Sequence, residues 1–410
     1  MNDTSTVSDR LQQLRAPIEA DLCGNILPFW MDHVADWGKQ GFHAALTNTL
    51  RVDNAQERGA LLTSRILWTY AAAYRQYREA RWLRMAEHAY CDLQASFLDV
   101  THGGYVWSIS ANGEVLRDRK QVYGQAFAIY ALAEYYAATG ERAALDQAVA
   151  VYRLIEANAR DRERGGYFEA FGRDWQPIDD MRLSDVDLNA PKSQNTLLHV
   201  MEAYTNLLAV WPDPELRTAL ADLVGVMLDR VLQAASAHLG LFFTADWQPL
   251  SDRVSFGHDI EAAWLLTAAA EALDDTVLLE RVRALAVRIA DVTLAEGVDA
   301  DGAVLYEGDR HGITNSNKEW WPQAEAVIGF LNAFQIAGEA RHLDAALGTW
   351  RFIDRHLIDR QYGEWFRAVS CDGRLLSDPL KVSFWKCPYH NGRMGLEVVR
   401  RIASLIAGGE

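Results

Sequence analysis

Cysteine is scarce in this chain: four in 410 residues, at Cys23, Cys91, Cys371 and Cys387, far apart and with no CxxC pair. That spacing speaks against a cysteine-bound zinc and fits a reducing setting, so the expected localisation is cytoplasmic. No long apolar run occurs. The longest, such as AWLLTAAAEAL, are too short and too amphipathic to cross a bilayer, and the opening MNDTSTVSDR has no apolar region of the signal-peptide kind. Positive charge is in deficit, with 40 Lys and Arg against 56 Asp and Glu and a net charge of −16. With its basic residues scattered, the chain is expected to bind neither nucleic acid nor an anionic membrane. Linkers rich in Pro, Gly or Ser, charge blocks and low-complexity tracts are also missing. The expectation is one domain over residues 1–410, with a flexible N-terminal tail over about residues 1–8.

What fills the chain instead is apolar residues at helical spacing. Six segments are apolar on most faces: LLTSRILWTYAAAYRQY, QVYGQAFAIYALAEYYAATG, SQNTLLHVMEAYTNLLAV, HDIEAAWLLTAAAEAL, WWPQAEAVIGFLNAFQIAG and HNGRMGLEVVRRIASLIAG. Gly140 is the expected C-cap of the second. Between them lie amphipathic helices with a charged face, such as ERAALDQAVAVYRLIEANAR. A glycine followed by aromatics and a polar turn also recurs, as in HGGYVWSISANGE, RGGYFEAFGRDWQ and YGEWFRAVSCDG, and predicts short β-hairpins in the connections. A repeating helix pair that cannot bury its apolar face alone must stack on its neighbours. Six inner and six outer helices predict an all-α (α/α)6 barrel, and the near-uniform apolarity of the inner class favours a closed ring.

In a closed ring the starts of the inner helices open onto one cavity. The residues there include Arg65, Tyr123, Asn195, His199, His258, Glu261, Trp321, Trp385 and His390. Histidine is the side chain whose ordinary pKa lies nearest neutrality, so several converging on a cavity suggest proton transfer. Asn195 and His199 share a helix face, as do His258 and Glu261, a spacing that lets Glu261 fix the His258 tautomer. Arg65 sits in an apolar stretch, where an arginine is expected only if paired or in contact with a ligand. The bland alternatives are packing histidines, a core tryptophan pair and a surface glutamate. Recurrence at the same point of successive units argues against them. His33, His43, His88, His238, His342 and His356 keep the packing or capping assignment.

The strings SFGHDIEAAWLL, SQNTLLHVMEAY, NKEWWPQAEAV and FWKCPYHNGRM resemble the N-acylglucosamine 2-epimerase superfamily, and most closely its cellobiose 2-epimerase branch. The similarity runs from about Pro28 to Arg400. It implies an (α/α)6 barrel and C2 epimerisation of an aldose through an enediolate, with no metal or nicotinamide cofactor. Isomerisation to a ketose is the linked side reaction. It further implies that His258 and His390 form the acid/base pair with His199 as a third histidine. Arg65, Tyr123, Asn195, Glu261, Trp321 and Trp385 then hold the sugar. The expected partner is a disaccharide or monosaccharide substrate, in a monomer or homodimer. The alternatives are a mannose 2-epimerase, mannose isomerase or N-acylglucosamine 2-epimerase of the same superfamily, a glycoside hydrolase on the same fold with Glu261 and Glu325 as its carboxyl pair, and a sugar- or protein-binding toroid without turnover.

Overall fold

The computed structural model describes residues 6–39, 41–377 and 380–408. The chain opens with α1 (Val7–Asp21), which runs on through a wider π turn (Leu22–Ile26), the short α2 (Leu27–Phe29) and a second π turn (Trp30–Val34). Five helix pairs follow: α3 (Ala60–Tyr77) with α4 (Ala80–Asp92), α5 (Val122–Thr139) with α6 (Arg142–Asn158), α7 (Gln194–Val210) with α8 (Pro214–Val226), α9 (Phe256–Leu273) with α10 (Thr276–Val292), and α11 (Trp320–Ala337) with α12 (Ala340–Phe352). The last helix, α13 (Tyr389–Gly408), is the sixth inner element. The expected tail ends earlier than residue 8. Thr6 caps α1 by accepting from the Asp9 amide at 3.1 Å while Asp9 accepts from the Thr6 amide at 2.9 Å, a reciprocal capping box that starts the helix at Val7. Residues 1–5 lie outside the described residues.

The predicted (α/α)6 barrel is present, and it closes. Each of α3, α5, α7, α9, α11 and α13 packs on the next, and α13 returns to α3. The outer layer is formed by α4, α6, α8, α10 and α12, with α1 against α13 and α12. Composition sorts the layers as expected. Helix α5 buries all but its last few positions, whereas α4 buries a single face through Trp82, Met85, Ala86 and Ala89. Gly140 ends α5 in the left-handed region at φ 78°, freeing the chain to turn outward at no steric cost.

The connections are more regular than a set of hairpins. After each outer segment the backbone doubles back through a single bridge, at Ala35–Phe42, Leu98–Tyr105, Arg160–Tyr167, Leu232–Leu239, Val298–Val304 and Ile358–Trp365. Local hairpins exist at 108–117 and 307–315, but most short strands pair between consecutive units. Lys120–Gln121, which feeds α5, pairs with Ala170–Phe171, and Lys192–Ser193, which feeds α7, pairs with Phe242–Phe243. The strands therefore staple one inner-helix entry to the next.

Buried lysines, each paired with an aspartate, lock these entries. Lys120 reaches Asp99 at 2.8 Å, Lys192 reaches Asp161 at 2.7 Å, Lys318 reaches Asp299 at 2.8 Å and Asp301 at 2.6 Å, and Lys381 reaches Asp359. Each lysine stands on the short strand that leads to an inner helix, and its aspartate lies in the turn after the preceding outer helix. Lys192 also donates to the carbonyls of Gly165 and Ala245. Removing one partner of such a pair strands a charge without water, at a cost of about 3–5 kcal/mol. Chemical denaturation is therefore expected to find Asp161→Ala less stable by about that amount, and Asp161→Ala with Lys192→Met less destabilised than the sum of the two single changes.

Candidate active site

The first two turns of the six inner helices line one cavity of about 690 Å³. Arg65 of α3, Tyr123 of α5, Asn195 and His199 of α7, His258 and Glu261 of α9, Trp321 of α11, Trp385 in the approach to α13 and His390 at its start all lie in the wall. These nine residues are thus brought to the same space. The reason is register: each sits within two turns of a helix start, and ring closure turns all those starts inward. Helix N-termini present unpaired N–H groups and the positive end of the peptide dipoles, which favours anionic oxygen and disfavours an imidazolium.

The histidines are held in different ways. His199 Nδ1 lies 2.8 Å from Glu202 Oε2, and His390 Nδ1 lies 2.7 Å from Glu325 Oε1. A carboxylate can only accept, so both rings donate from Nδ1 and keep Nε2 as the basic nitrogen. His258 Nδ1 instead meets the Ser255 hydroxyl at 2.9 Å, a group that can donate or accept. Burial holds all three below the ordinary histidine range. His258 is held down to about 3 by desolvation and then by the neighbouring His199. His390 lies well below its ordinary value because of desolvation and the charges of Arg65 and Arg393. His199 is lowered by desolvation, with Glu202 opposing. At neutral pH the cavity therefore holds three uncharged imidazoles.

Beneath them lies a fully buried guanidinium, Arg393. Its Nη1 donates to Glu202, and its Nη2 donates to Glu261 at 2.5 Å and to Glu325 at 2.6 Å. The Tyr389 hydroxyl donates to Glu202 at 2.6 Å. Burial acts to raise Glu202, but Arg393 and the hydrogen bonds from His199 and Tyr389 outweigh it and hold this carboxyl at about 2. One arginine thus anchors the carboxylates that orient two of the three histidines.

The spacing of His258 and Glu261 predicted that Glu261 would orient His258, and the structure corrects this. Ser255 takes that place, and Glu261 turns to Arg393, because a buried guanidinium is a far stronger donor to a carboxyl oxygen than a neutral imidazole. The same three-residue spacing is realised one helix earlier, between His199 and Glu202. Glu202, Ser255 and Arg393 were not singled out from the sequence, although each carries a signal: three residues after a histidine, at the N-cap three residues before one, or inside an apolar helix as Arg65 is. Glu325, which the hydrolase alternative nominates as a carboxyl, is instead the partner of His390.

The remaining wall is aromatic and polar. Trp321 lies between two histidines, with ring centroids 4.6 Å from His258 and 5.6 Å from His390. Tyr123 stands 5.0 Å from His199. Arg65 donates to the Tyr123 hydroxyl at 2.6 Å and to the Trp385 carbonyl at 3.5 Å, and its guanidinium lies over the Phe127 and Tyr389 rings. No carboxylate pairs with it among the described residues. Asn195 Oδ1 and both ends of the Gln194 amide are buried without a protein partner there, as expected of a surface that meets a polar ligand. Glu261, Glu325 and His390 bring ligand atoms within 4.8 Å of one another, close enough for a metal site. Arg393 already donates to both carboxylates, so a second cation there would face a guanidinium.

A family model described as N-acylglucosamine 2-epimerase matches residues 41–391. A cellobiose 2-epimerase of Bacteroides fragilis is 41% identical over 387 residues, covering 94% of this chain and 98% of the relative. One from Dictyoglomus turgidum is 38% identical over 394 residues, covering 96% and 100%. The solved cellobiose 2-epimerase of Spirochaeta thermophila superposes with a TM-score of 0.90 at 39% identity, covering 98% of this chain and 100% of that one.

Two pH effects follow. Imidazole nitrogen NMR is expected to find His199, His258 and His390 uncharged at neutral pH and each titrating below the ordinary histidine value of about 6.5. Titration of all three near that ordinary value would contradict the geometry. Because the folded pKa values are depressed, the unfolded chain binds protons here that the folded chain does not. Their contribution to stability is thus fully present above about pH 6.5 and is lost as pH falls below it. His258→Gln should flatten that part of the melting profile.

Proposed function

Because the chain belongs to the N-acylglucosamine 2-epimerase family, and so is a carbohydrate epimerase of the isomerase class, we propose that it is a cellobiose 2-epimerase. In this reading it inverts C2 of the reducing-end glucose in β-1,4-linked disaccharides, taking cellobiose to glucosyl-mannose and lactose to epilactose. The observation that carries the chemistry is the set of three neutral histidines on one cavity, two of them fixed by glutamates with Nε2 free.

The proton on C2 of a closed sugar ring is too weakly acidic to remove. Opening the ring moves a proton to O5 and leaves C1 as an aldehyde, and the C2 anion then delocalises as an enediolate. The work required is a proton to O5, removal of the C2 proton, donors for the charge growing on O1, and return of a proton to the opposite face. A neutral imidazole can accept a proton and then give it up near neutral pH. His258 and His390 are assigned the exchange at C2: the neutral ring that takes the C2 proton becomes the imidazolium that returns it, to the opposite face once the enediolate has turned about C2–C3. The serine contact of His258 suits a ring that alternates between donor and acceptor. His199 is assigned a hydrogen bond to O1 or O5, and Arg65 and Tyr123 stabilise the oxyanion. Asn195 and Glu261 hold sugar hydroxyls, with Trp321 and Trp385 as stacking platforms. Protonation at C1 instead of C2 yields a ketose as a minor product.

Room for a second ring is supported by the wall, which continues past the tryptophans to Arg182–Leu188, Arg253, Tyr306 and Glu307. The cavity volume falls in the range of about 300–1,000 Å³ usual for small-molecule sites. A glycoside hydrolase needs two carboxyl groups about 5–9.5 Å apart flanking the scissile bond. Glu261 and Glu325 meet the same guanidinium nitrogen instead, which disfavours that alternative.

The test is to incubate the protein separately with cellobiose, lactose, mannose and N-acetylglucosamine and to identify the products. Glucosyl-mannose and epilactose are expected, with His390→Ala slower by about 10²–10⁴-fold. Free glucose from cellobiose would indicate hydrolysis. Conversion of mannose or N-acetylglucosamine alone would move the enzyme to another branch of the family, and a fully active His390→Ala would overturn the histidine scheme.

A further inference from the structure

Three buried carboxyl groups share the single guanidinium of Arg393, and they are not equally served. Glu202 accepts from His199 Nδ1 at 2.8 Å, from the Tyr389 hydroxyl at 2.6 Å and from Arg393 Nη1. Glu325 accepts from His390 Nδ1 at 2.7 Å, from Trp264 Nε1 at 3.0 Å and from Arg393 Nη2 at 2.6 Å. Glu261 accepts from Arg393 Nη2 alone among the described residues, at 2.5 Å. It is also in the cavity wall, while its carboxyl neighbours are turned to the histidines.

The groups facing Glu261 are Arg65 of α3, Tyr123 of α5, His199 and Glu202 of α7, His258 of its own helix, Glu325 of α11, and Tyr389, His390 and Arg393 of α13. The histidines are neutral, and Arg65 is committed to Tyr123 and the Trp385 carbonyl. Full ionisation would set three negative charges against one adjacent cation, away from bulk water. Carboxylates crowded in this way retain a proton. It settles where the anion has the fewest donors. Burial and repulsion from Glu325 act on Glu261 in the same direction.

We propose that Glu261 is kept as a neutral carboxylic acid at neutral pH and donates its proton as a hydrogen bond to a sugar oxygen in the cavity. The carboxyl of Glu261 then contributes a donor where a carboxylate would repel the charge of an enediolate. A carboxyl group kept neutral by its surroundings can stabilise an oxyanion in this way. This deepens the epimerase reading and rests on it for the identity of the oxygen, but not for the protonation state.

The test compares the wild type with E261Q and E261A. Glutamine reproduces the shape, the acceptor and the donor of a neutral glutamic acid. The wild-type-minus-E261Q infrared spectrum at neutral pH is expected to contain the carbonyl band of a protonated carboxyl, shifted in heavy water, and E261Q is expected to melt no lower than the wild type. On the sugar that the wild type converts, E261Q should lower kcat/KM by less than about tenfold and E261A by about a hundredfold or more. The proposal is overturned by a difference spectrum without the acid band, by an E261Q protein that melts lower or fails to fold, or by E261Q losing as much turnover as E261A. If the wild type converts none of the sugars, the epimerase reading fails, and the infrared and melting comparisons still decide the state of Glu261.

Discussion

A buried guanidinium must be surrounded by acceptors, and in this protein that requirement organises the site. Arg393 enters from α13 and binds Glu202 of α7, Glu261 of α9 and Glu325 of α11. Four of the six inner helices are thereby tied at one depth, at the end of the ring where their side chains meet. Isolated, any of these charges would be very costly to bury; together they form a network whose members cannot be exchanged singly. The cavity is the space above it.

The chemistry of the cavity follows from that arrangement. Glu202 and Glu325, fixed by Arg393, set the tautomers of His199 and His390. The loss of water, with Arg65 and the same positive charge, keeps the imidazoles of His199 and His390 from ionising. The proposed removal of a proton from carbon requires neutral bases near a positive field that welcomes anionic oxygen, and here both come from the same few groups. The buried lysines and their aspartates serve this end indirectly. By locking the turns that feed the inner helices, they fix the height at which Tyr123, Asn195 and Trp321 reach the cavity.

Much of this was legible in the chain. The difference between helices apolar on most faces and helices with one charged face announced two layers, and periodicity supplied six pairs. The candidate residues could be found because each lies near a helix start, a position that capping and spacing make visible. The partner of His258 was not legible. A glutamate three residues on is an adequate partner for a histidine, and local spacing offers no reason to doubt it. The competitor, Arg393, lies 132 residues away. The inter-unit strand pairs were not legible for the same reason: a glycine–aromatic turn signals a local hairpin, and local bridges such as Phe171–Pro177 do form, but the same strand also pairs with the entry of a neighbouring inner helix.

The sequence by itself determined the helices, their two classes, their number and the residues at their entries, because these depend on short-range periodicity and on turn chemistry. Only the tertiary structure decided which side chains pair: Ser255 with His258, Glu202 and Glu325 with the other histidines, and Arg393 with three glutamates. The physical reason is that even the pairs three residues apart, Ser255 with His258 and His199 with Glu202, are settled by Arg393, a buried guanidinium distant in sequence that draws Glu261 away from His258 and anchors Glu202. Their strength depends on a burial that exists only once α13 has packed back against α3.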